Sequence, residues 1–131
     1  MAGNQGANHY RQVAVKTASR GTILLMLYEA AIQNVKKATQ AIDQHDLATK
    51  GQAIGKTHDI INELSNTLDF EVGGHIARDL ERLYTFIIEQ LVKANIENSK
   101  EPLIATQKIL ENLLDAWKVA VKETSQALGK K

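Results

Sequence analysis

The sequence offers few side chains that could carry out covalent or metal chemistry. Its 131 residues include four histidines and no cysteine, which excludes thiolate nucleophiles, disulfides and cysteine-ligated zinc or iron–sulfur sites. A di-iron helical bundle requires Glu-x-x-His on two helices. The nearest approach is Glu71 and His75, four residues apart, and His58 stands beside an apolar stripe without a second ligand. We therefore expect no catalytic residue, cofactor or metal site, and a metal-dependent enzyme is an alternative for elemental analysis to test.

The charge balance also excludes several classes of partner. Sixteen Lys and Arg residues face fifteen Asp and Glu residues, so the formal net charge is +1. This balance gives no electrostatic argument for a nucleic-acid or anionic-membrane partner. The longest apolar run, residues 23–28, is too short to span a bilayer, and the first ten residues contain no signal-peptide apolar stretch. These features predict a cytoplasmic protein that does not insert into membranes.

Composition and apolar periodicity together favour an all-α fold. The chain has a single proline and 5% aromatic residues, and good helix formers dominate the rest. Apolar residues at alternating three- and four-residue spacings predict four helices, with Pro102 in the first turn of the fourth. Their expected bounds are approximately 20–44, 46–68, 73–98 and 102–126. Because the connections are short, neighbouring helices must be antiparallel, and residues 19–128 are predicted to form an up-down-up-down four-helix bundle.

The residues before the predicted bundle form a separate region. Residues 1–8 are small and polar, which is typical of a mobile tail. Tyr10, Val13 and Val15 are apolar but fit no long helical stripe. We predict that residues 1–18 comprise a tail and a short extended or one-turn segment that docks onto the bundle. The segment is either a simple strap or a removable lid over a groove.

Two further features exceed what a plain bundle needs. The apolar face of the third helix is wide, with Ile87 and Ile88 adjacent and Ile96 beyond them. It indicates either a broad core stripe or a partner groove. Gly51 and Gly55 share one face of the second helix at a cost of about 1 kcal/mol each in helix propensity. They indicate either close packing within the bundle or a shallow strip that an external chain approaches.

Several motifs resemble those of one protein family. They are YRQV from Tyr10, MLYEAA over residues 26–31, LDFEVGGHIA over residues 68–77, and the later Leu83-Tyr84 and Ala116-Trp117 pairs. In this combination the chain resembles the FliS family, the cytoplasmic export chaperones for flagellin in bacterial flagellar type III secretion. It departs from the family pattern where Arg20 replaces a common proline, Ala30 a common glycine and His75 a common acidic residue.

The resemblance implies a binding function. FliS proteins bind the disordered C-terminal segment of flagellin, partly as helices laid into apolar grooves, and so prevent premature polymerisation and keep flagellin export-competent. It also implies that Tyr10 anchors the N-terminal segment and helps to present the loaded complex to an export-gate component. The expected flagellin contacts are Tyr10, Val13, Ile54, Ile61, Tyr84, Ile88 and Leu91. The alternative is a module for helical self-association, such as a homodimer, or an adaptor for another helical peptide.

Overall fold

The chain folds into four helices. A computed structural model describes the backbone of residues 2–129 and the side chains of residues 20–124. The helices are α1 (Ala2–Asp43), α2 (Leu47–Asn66), α3 (Phe70–Glu97) and α4 (Glu101–Gly129). No strand occurs in the described backbone. The predicted all-α class is confirmed.

The four helices pack as an antiparallel bundle. α1 packs against α2 and α4, and α3 packs against the same two helices, so α1 and α3 face each other diagonally across the core. Gly21 of α1 lies against Val121 near the end of α4. At the opposite end of the bundle, Lys50 near the start of α2 donates a hydrogen bond to the carbonyl of Asn95 near the end of α3, at 3.0 Å. The predicted bundle is therefore observed.

Local signals place three of the four helix starts. Asp46 caps α2, because its carboxylate accepts hydrogen bonds from the backbone N–H of Thr49 at 3.1 Å and from the Thr49 hydroxyl at 2.6 Å. Pro102 is the second residue of α4, where its missing N–H costs no helical hydrogen bond. Asp69 caps α3, so this helix begins at Phe70 and not near Gly73 as expected.

The start of α1 differs from the expectation. The apolar spacing predicts a helix from residue 20 after an extended or one-turn segment, but the helical backbone runs from Ala2. The chain's single proline is Pro102, so no residue in this region lacks the N–H that a helix requires. Arg20, at the position of the family's common proline, continues the helix. The side chains of Tyr10 and Val13 lie outside the described set, and the docking of residues 1–18 stays a prediction.

The core is a continuous apolar cluster contributed by all four helices. Its buried members among the described side chains are Tyr28, Ala31, Ile32, Val35, Ala38, Ala53, Ile54, Ile61, Leu64, Tyr84, Ile87, Leu91, Ala94, Leu103, Leu110 and Leu114. The apolar spacing along the third and fourth helices also predicts core positions for Ile76 and Leu113. Ile76 is 65% exposed while its neighbour Ala77 is buried, so this prediction is wrong; Leu113 is half-buried against the core, and its neighbour Leu114 is buried at 8% exposure.

Candidate functional site

An apolar groove opens at one end of the bundle, where α1, the α2–α3 loop, the start of α3 and the end of α4 meet. Two cavities of about 470 and 290 Å³ adjoin there, because Leu24 and Thr67 line both. We call their combined surface the apolar groove. Its lining residues are Arg20, Ile23, Leu24, Leu27, Thr67, Leu68, Asp69, Val72, Gly73, Ile76, Ala77, Leu80, Tyr84 and Trp117.

The walls of the apolar groove follow from helical spacing. Val72, Ile76 and Leu80 recur every four residues along α3 and all line the groove, although a non-helical residue separates Val72 from the other two. On α1, Ile23 and Leu27 are likewise four residues apart. Ridges at four-residue spacing are the surfaces against which another helix packs. The groove therefore has ridges of the kind against which an amphipathic helix packs.

The floor of the apolar groove belongs to the hydrophobic core. Tyr84 is 2% exposed, and its hydroxyl shares a hydrogen bond with that of Tyr28 on the diagonal helix. The Trp117 side chain lies near the Tyr28 hydroxyl and lowers its pKa, since the indole N–H is a hydrogen-bond donor. Burial raises the pKa of both tyrosines, and the proximity of Tyr28 raises the pKa of Tyr84 further. Both hydroxyls are therefore neutral near pH 7, so the floor carries no charge there.

The rim of the apolar groove includes the first turn of α3, residues 70–73. The Asp69 carboxylate accepts hydrogen bonds from the backbone N–H groups of Glu71 at 3.0 Å and Val72 at 3.1 Å. Immediately after this turn, Gly74 leaves helical geometry at φ 49° and ψ −120°. The turn is consequently offset from the rest of α3, and it places Val72, 88% exposed, at the rim.

The structure distributes the predicted site residues unevenly. Ile54, Ile61, Tyr84 and Leu91 are buried in the core, and Ile88 is half-buried against it. Of these five, Tyr84 lines the apolar groove. A partner could reach the other buried residues only by opening the bundle. Direct contact of any predicted residue with a partner, including Tyr10 and Val13, stays a prediction.

Sequence reasoning missed most of the groove as a site. The residues concerned are Leu24, Val72, Ile76, Leu80 and Trp117. The signal that could have found the α3 members is their four-residue spacing, which passes through two consecutive glycines. An apolar stripe that continues past a break in the helix leaves side chains that the core does not cover.

A second groove, between α1 and α4, is different in character. Its volume is about 650 Å³, and its lining mixes apolar residues with charged groups of both signs. The charged members are Glu29, Lys36, Glu111, Asp115 and Lys118. Burying these charges against an apolar helix would cost more than burying the lining of the apolar groove.

Four other sequence features have clear outcomes. An added Cβ at Gly51 or Gly55 would meet no atom within 4 Å, so close packing within the bundle is the wrong explanation for these glycines. His75 pairs with Asp79 at 3.2 Å. In the part of the chain that the structure describes, no three His, Asp or Glu side chains are grouped to hold a metal ion. No described helix combines the length and apolarity needed to cross a membrane.

The fold and the groove together define the class of protein. It is an all-α four-helix bundle with an apolar groove at one end, whose wall residues recur at helical spacing. The family model described as "Flagellar protein FliS" matches residues 2–124. Among similar proteins, the flagellar secretion chaperone FliS of Salmonella typhimurium is 36% identical over 118 residues, covering 86% of this chain and 87% of that protein. FliS of Campylobacter jejuni is 34% identical over 118 residues, covering 90% and 92%. FliS of Bacillus subtilis is 32% identical over 113 residues, covering 86% and 84%. The chain belongs to the FliS family.

Proposed function

We propose that this protein is a cytoplasmic chaperone, without enzymatic activity, that binds the disordered C-terminal segment of flagellin in the apolar groove. Binding would cover the apolar face of that segment, prevent premature polymerisation and keep flagellin competent for export. The observation that carries the proposal is the groove itself, whose wall presents Ile76 at 65% exposure. The relatives' shared name, flagellar secretion chaperone, supports the same function.

The physical basis of this recognition is burial of apolar surface. An amphipathic helix laid in a groove contributes apolar anchors at positions such as i, i+4 and i+7. The walls formed by Ile23, Leu27, Ile76 and Leu80 accept such anchors, and the neutral tyrosine floor adds no charge to desolvate. Ordering a disordered segment consumes part of the gross interaction energy. Affinity should therefore depend on several anchors acting together.

Calorimetric titration at two temperatures tests the proposal, with the C-terminal segment of the host's flagellin as the ligand. We expect one-to-one binding with a clearly negative heat-capacity change, because apolar burial produces that sign. Ile76→Ser should weaken binding about tenfold, the effect of losing one buried aliphatic anchor. Absence of heat at both temperatures, from protein shown to be folded, would refute the proposal.

The chain supplies a matched control for that variant. Ile96 is an isoleucine of the same helix with 75% exposure, and it lies about 30 Å further along α3. Ile96→Ser removes the same side chain from a comparably exposed position outside the groove. It should leave the affinity within about twofold of the unmodified protein. Equal losses for Ile76→Ser and Ile96→Ser would place the binding surface elsewhere.

The loaded complex would then be presented to an export-gate component of the flagellar secretion apparatus. We propose that Tyr10 and the N-terminal part of α1 take part, as the resemblance to the family implies. Pull-down of the loaded complex by the export-gate component, with Tyr10→Ala as the variant, tests this step. Unchanged capture of the variant would remove Tyr10 from the proposal.

Self-association is a second candidate function, favoured by a different observation. Leu47, Ile96 and Ile104 are large, exposed apolar residues. They lie near the start of α2, the end of α3 and the start of α4, which meet at the bundle end opposite the apolar groove. Light scattering with and without the flagellin segment distinguishes the two functions. A dimer that the segment leaves unchanged and that Ile96→Ser dissociates would favour self-association.

A further inference from the structure

The first turn of α3 is a small structural unit between two joints. On one side lies the α2–α3 loop, residues 67–69, and on the other lies Gly74 with its non-helical φ of 49° and ψ of −120°. L-residues rarely adopt a positive φ, whereas glycine does so at little cost. Gly74 thus permits a change of chain direction that most other residues would resist.

The turn itself is internally well bonded. Asp69 accepts hydrogen bonds through its side chain from the N–H groups of Glu71 and Val72. The backbone N–H of Gly73 donates to the carbonyl oxygen of Asp69 at 2.7 Å. These bonds hold residues 69–73 in one shape while the chain on either side departs from helical geometry.

Apolar side chains of the turn have no core partner. Every residue from Asp69 to Ile76 is exposed or half-exposed, although the segment includes Phe70, Val72 and Ile76. Val72 is 88% exposed at the rim of the apolar groove. By contrast, the floor of the groove is part of the packed core. One wall is therefore free to adjust to an occupant.

We propose that residues 70–73 form a lip that swings about Gly74 and closes Val72 onto the apolar face of a helix held in the groove. The inference rests on the proposed function, and the occupant is the helical part of the flagellin C-terminal segment. Val72 is brought to this position by the offset at Gly74, and its isopropyl group loses water only when an apolar helix covers it. Closure would bury Val72 against the bound helix.

Gly73 has a separate role in the proposed lip. A Cβ at Gly73 would lie 2.9 Å from the Cβ of Ala77, closer than real side chains approach. The missing side chain lets the lip lie against the next turn of α3. The two consecutive glycines therefore differ in function, since Gly74 supplies the hinge and Gly73 supplies the space beside it.

The test is amide hydrogen exchange and titration of the full chain with the C-terminal segment of the host's flagellin. We expect exchange at Glu71 and Val72 to slow at least tenfold in the complex. Val72→Ser should weaken binding about tenfold. Val92→Ser, a valine on the same helix about 30 Å away, should leave affinity within about twofold of the unmodified protein.

A second pair of variants tests the hinge itself. Gly74→Ala disfavours the positive φ and draws the lip into line with the rest of α3, so we expect an affinity loss of about tenfold. Gly51→Ala adds the same methyl group to a helix where it meets no atom within 4 Å, and affinity should be unchanged. Circular dichroism of each variant confirms that it is folded before titration.

The outcomes separate the lip from the proposed function. If the unmodified protein binds the segment, but exchange in the turn and affinity of Val72→Ser are unchanged, the lip is refuted and the chaperone function stands. If Val72→Ser weakens binding while Gly74→Ala does not, Val72 is a fixed contact and the hinge is refuted. If the unmodified protein fails to bind, both proposals fall.

Discussion

Removing hydroxyl groups from the tyrosine pair should destabilise the bundle unequally. Tyr28 lies between two polar neighbours: its hydroxyl shares a hydrogen bond with that of Tyr84, and the Trp117 side chain lies close enough to lower its pKa. Tyr28→Phe leaves the buried Tyr84 hydroxyl and the Trp117 N–H without this partner. Tyr84→Phe leaves Tyr28 the Trp117 indole N–H as a neighbouring donor. The first substitution should therefore cost more than the second.

The magnitudes follow from the cost of unpaired buried groups, about 1–3 kcal/mol each. Because Trp117 is half-buried, water compensates part of its loss, and we expect about 2–3 kcal/mol for Tyr28→Phe. Tyr84→Phe should cost about 1–2 kcal/mol. The double variant removes both hydroxyls together and leaves neither one unpaired. The double variant should therefore lose less stability than the sum of the two single-variant losses, by about 1 kcal/mol or more.

Urea unfolding followed by far-ultraviolet circular dichroism measures all three variants with a common m-value. Thr85→Val is the control, since it removes an exposed hydroxyl that bonds the Glu81 carbonyl at 2.9 Å on the same helix, and its effect should stay within about 0.5 kcal/mol. Strict additivity of the two tyrosine variants would refute the coupled network. A larger loss for Tyr84→Phe than for Tyr28→Phe would refute the central position of Tyr28.

Four further predictions concern glycines and pH. Gly55→Ala, where an added methyl group meets nothing within 4 Å, should raise the free energy of unfolding by about 0.5–1 kcal/mol. Gly21→Ala should lower it, because the added Cβ would lie 2.9 Å from a valine methyl of α4; urea titration checks both signs. Hydrogen bonds from Thr49 lower the pKa of Asp46. The Asp46 carboxylate therefore stabilises the fold at pH values above its ordinary pKa of 3.8, and this stabilisation is lost as the pH falls below that value. The advantage of the unmodified protein over Asp46→Asn, measured by urea midpoints, should shrink below about pH 4, whereas parallel curves would contradict this. Burial raises the pKa of Tyr28 and Tyr84. The two neutral hydroxyls therefore stabilise the fold at pH values below the ordinary tyrosine pKa of 10.0, and this stabilisation is lost as the pH rises above it. The Tyr28→Phe/Tyr84→Phe double variant should therefore lose less stability than the unmodified protein between about pH 9 and 11, as thermal melts would show.

Features that depend on neighbours along the chain could be predicted from the sequence. Asp46 and Pro102 mark helix starts through local hydrogen-bonding chemistry, so α2 and α4 begin within one residue of the expected positions. The three- and four-residue spacings identify the core faces of α1 and α2 for the same reason. The start of α1 was missed because weak helix formers such as Gly3 and Gly6 suggested a tail, yet nothing there breaks a helix.

Features that depend on distant contacts could not be predicted in the same way. Ile76 and Ala77 both fall on the apolar side of α3, and the sequence alone does not decide which one faces the core. The offset at Gly74 and the packing of neighbouring helices decide it in favour of Ala77. Tyr84 was expected to contact a partner, but its hydroxyl bonds Tyr28, a residue 56 positions away. No local spacing encodes that pairing.

The shared position of Tyr84 in the core and the groove floor determines which variants can test function. A substitution at Tyr84 removes a buried hydrogen bond and alters the groove together, so a loss of binding there could come from a loosened bundle. Val72 and Ile76 are exposed before any partner binds, and polar replacements there leave the core contacts of the free protein in place. Weakened binding at these two positions with an unchanged unfolding midpoint would therefore locate the partner in the apolar groove. Weakened binding accompanied by an equal fall in stability would instead show that the rim supports the fold.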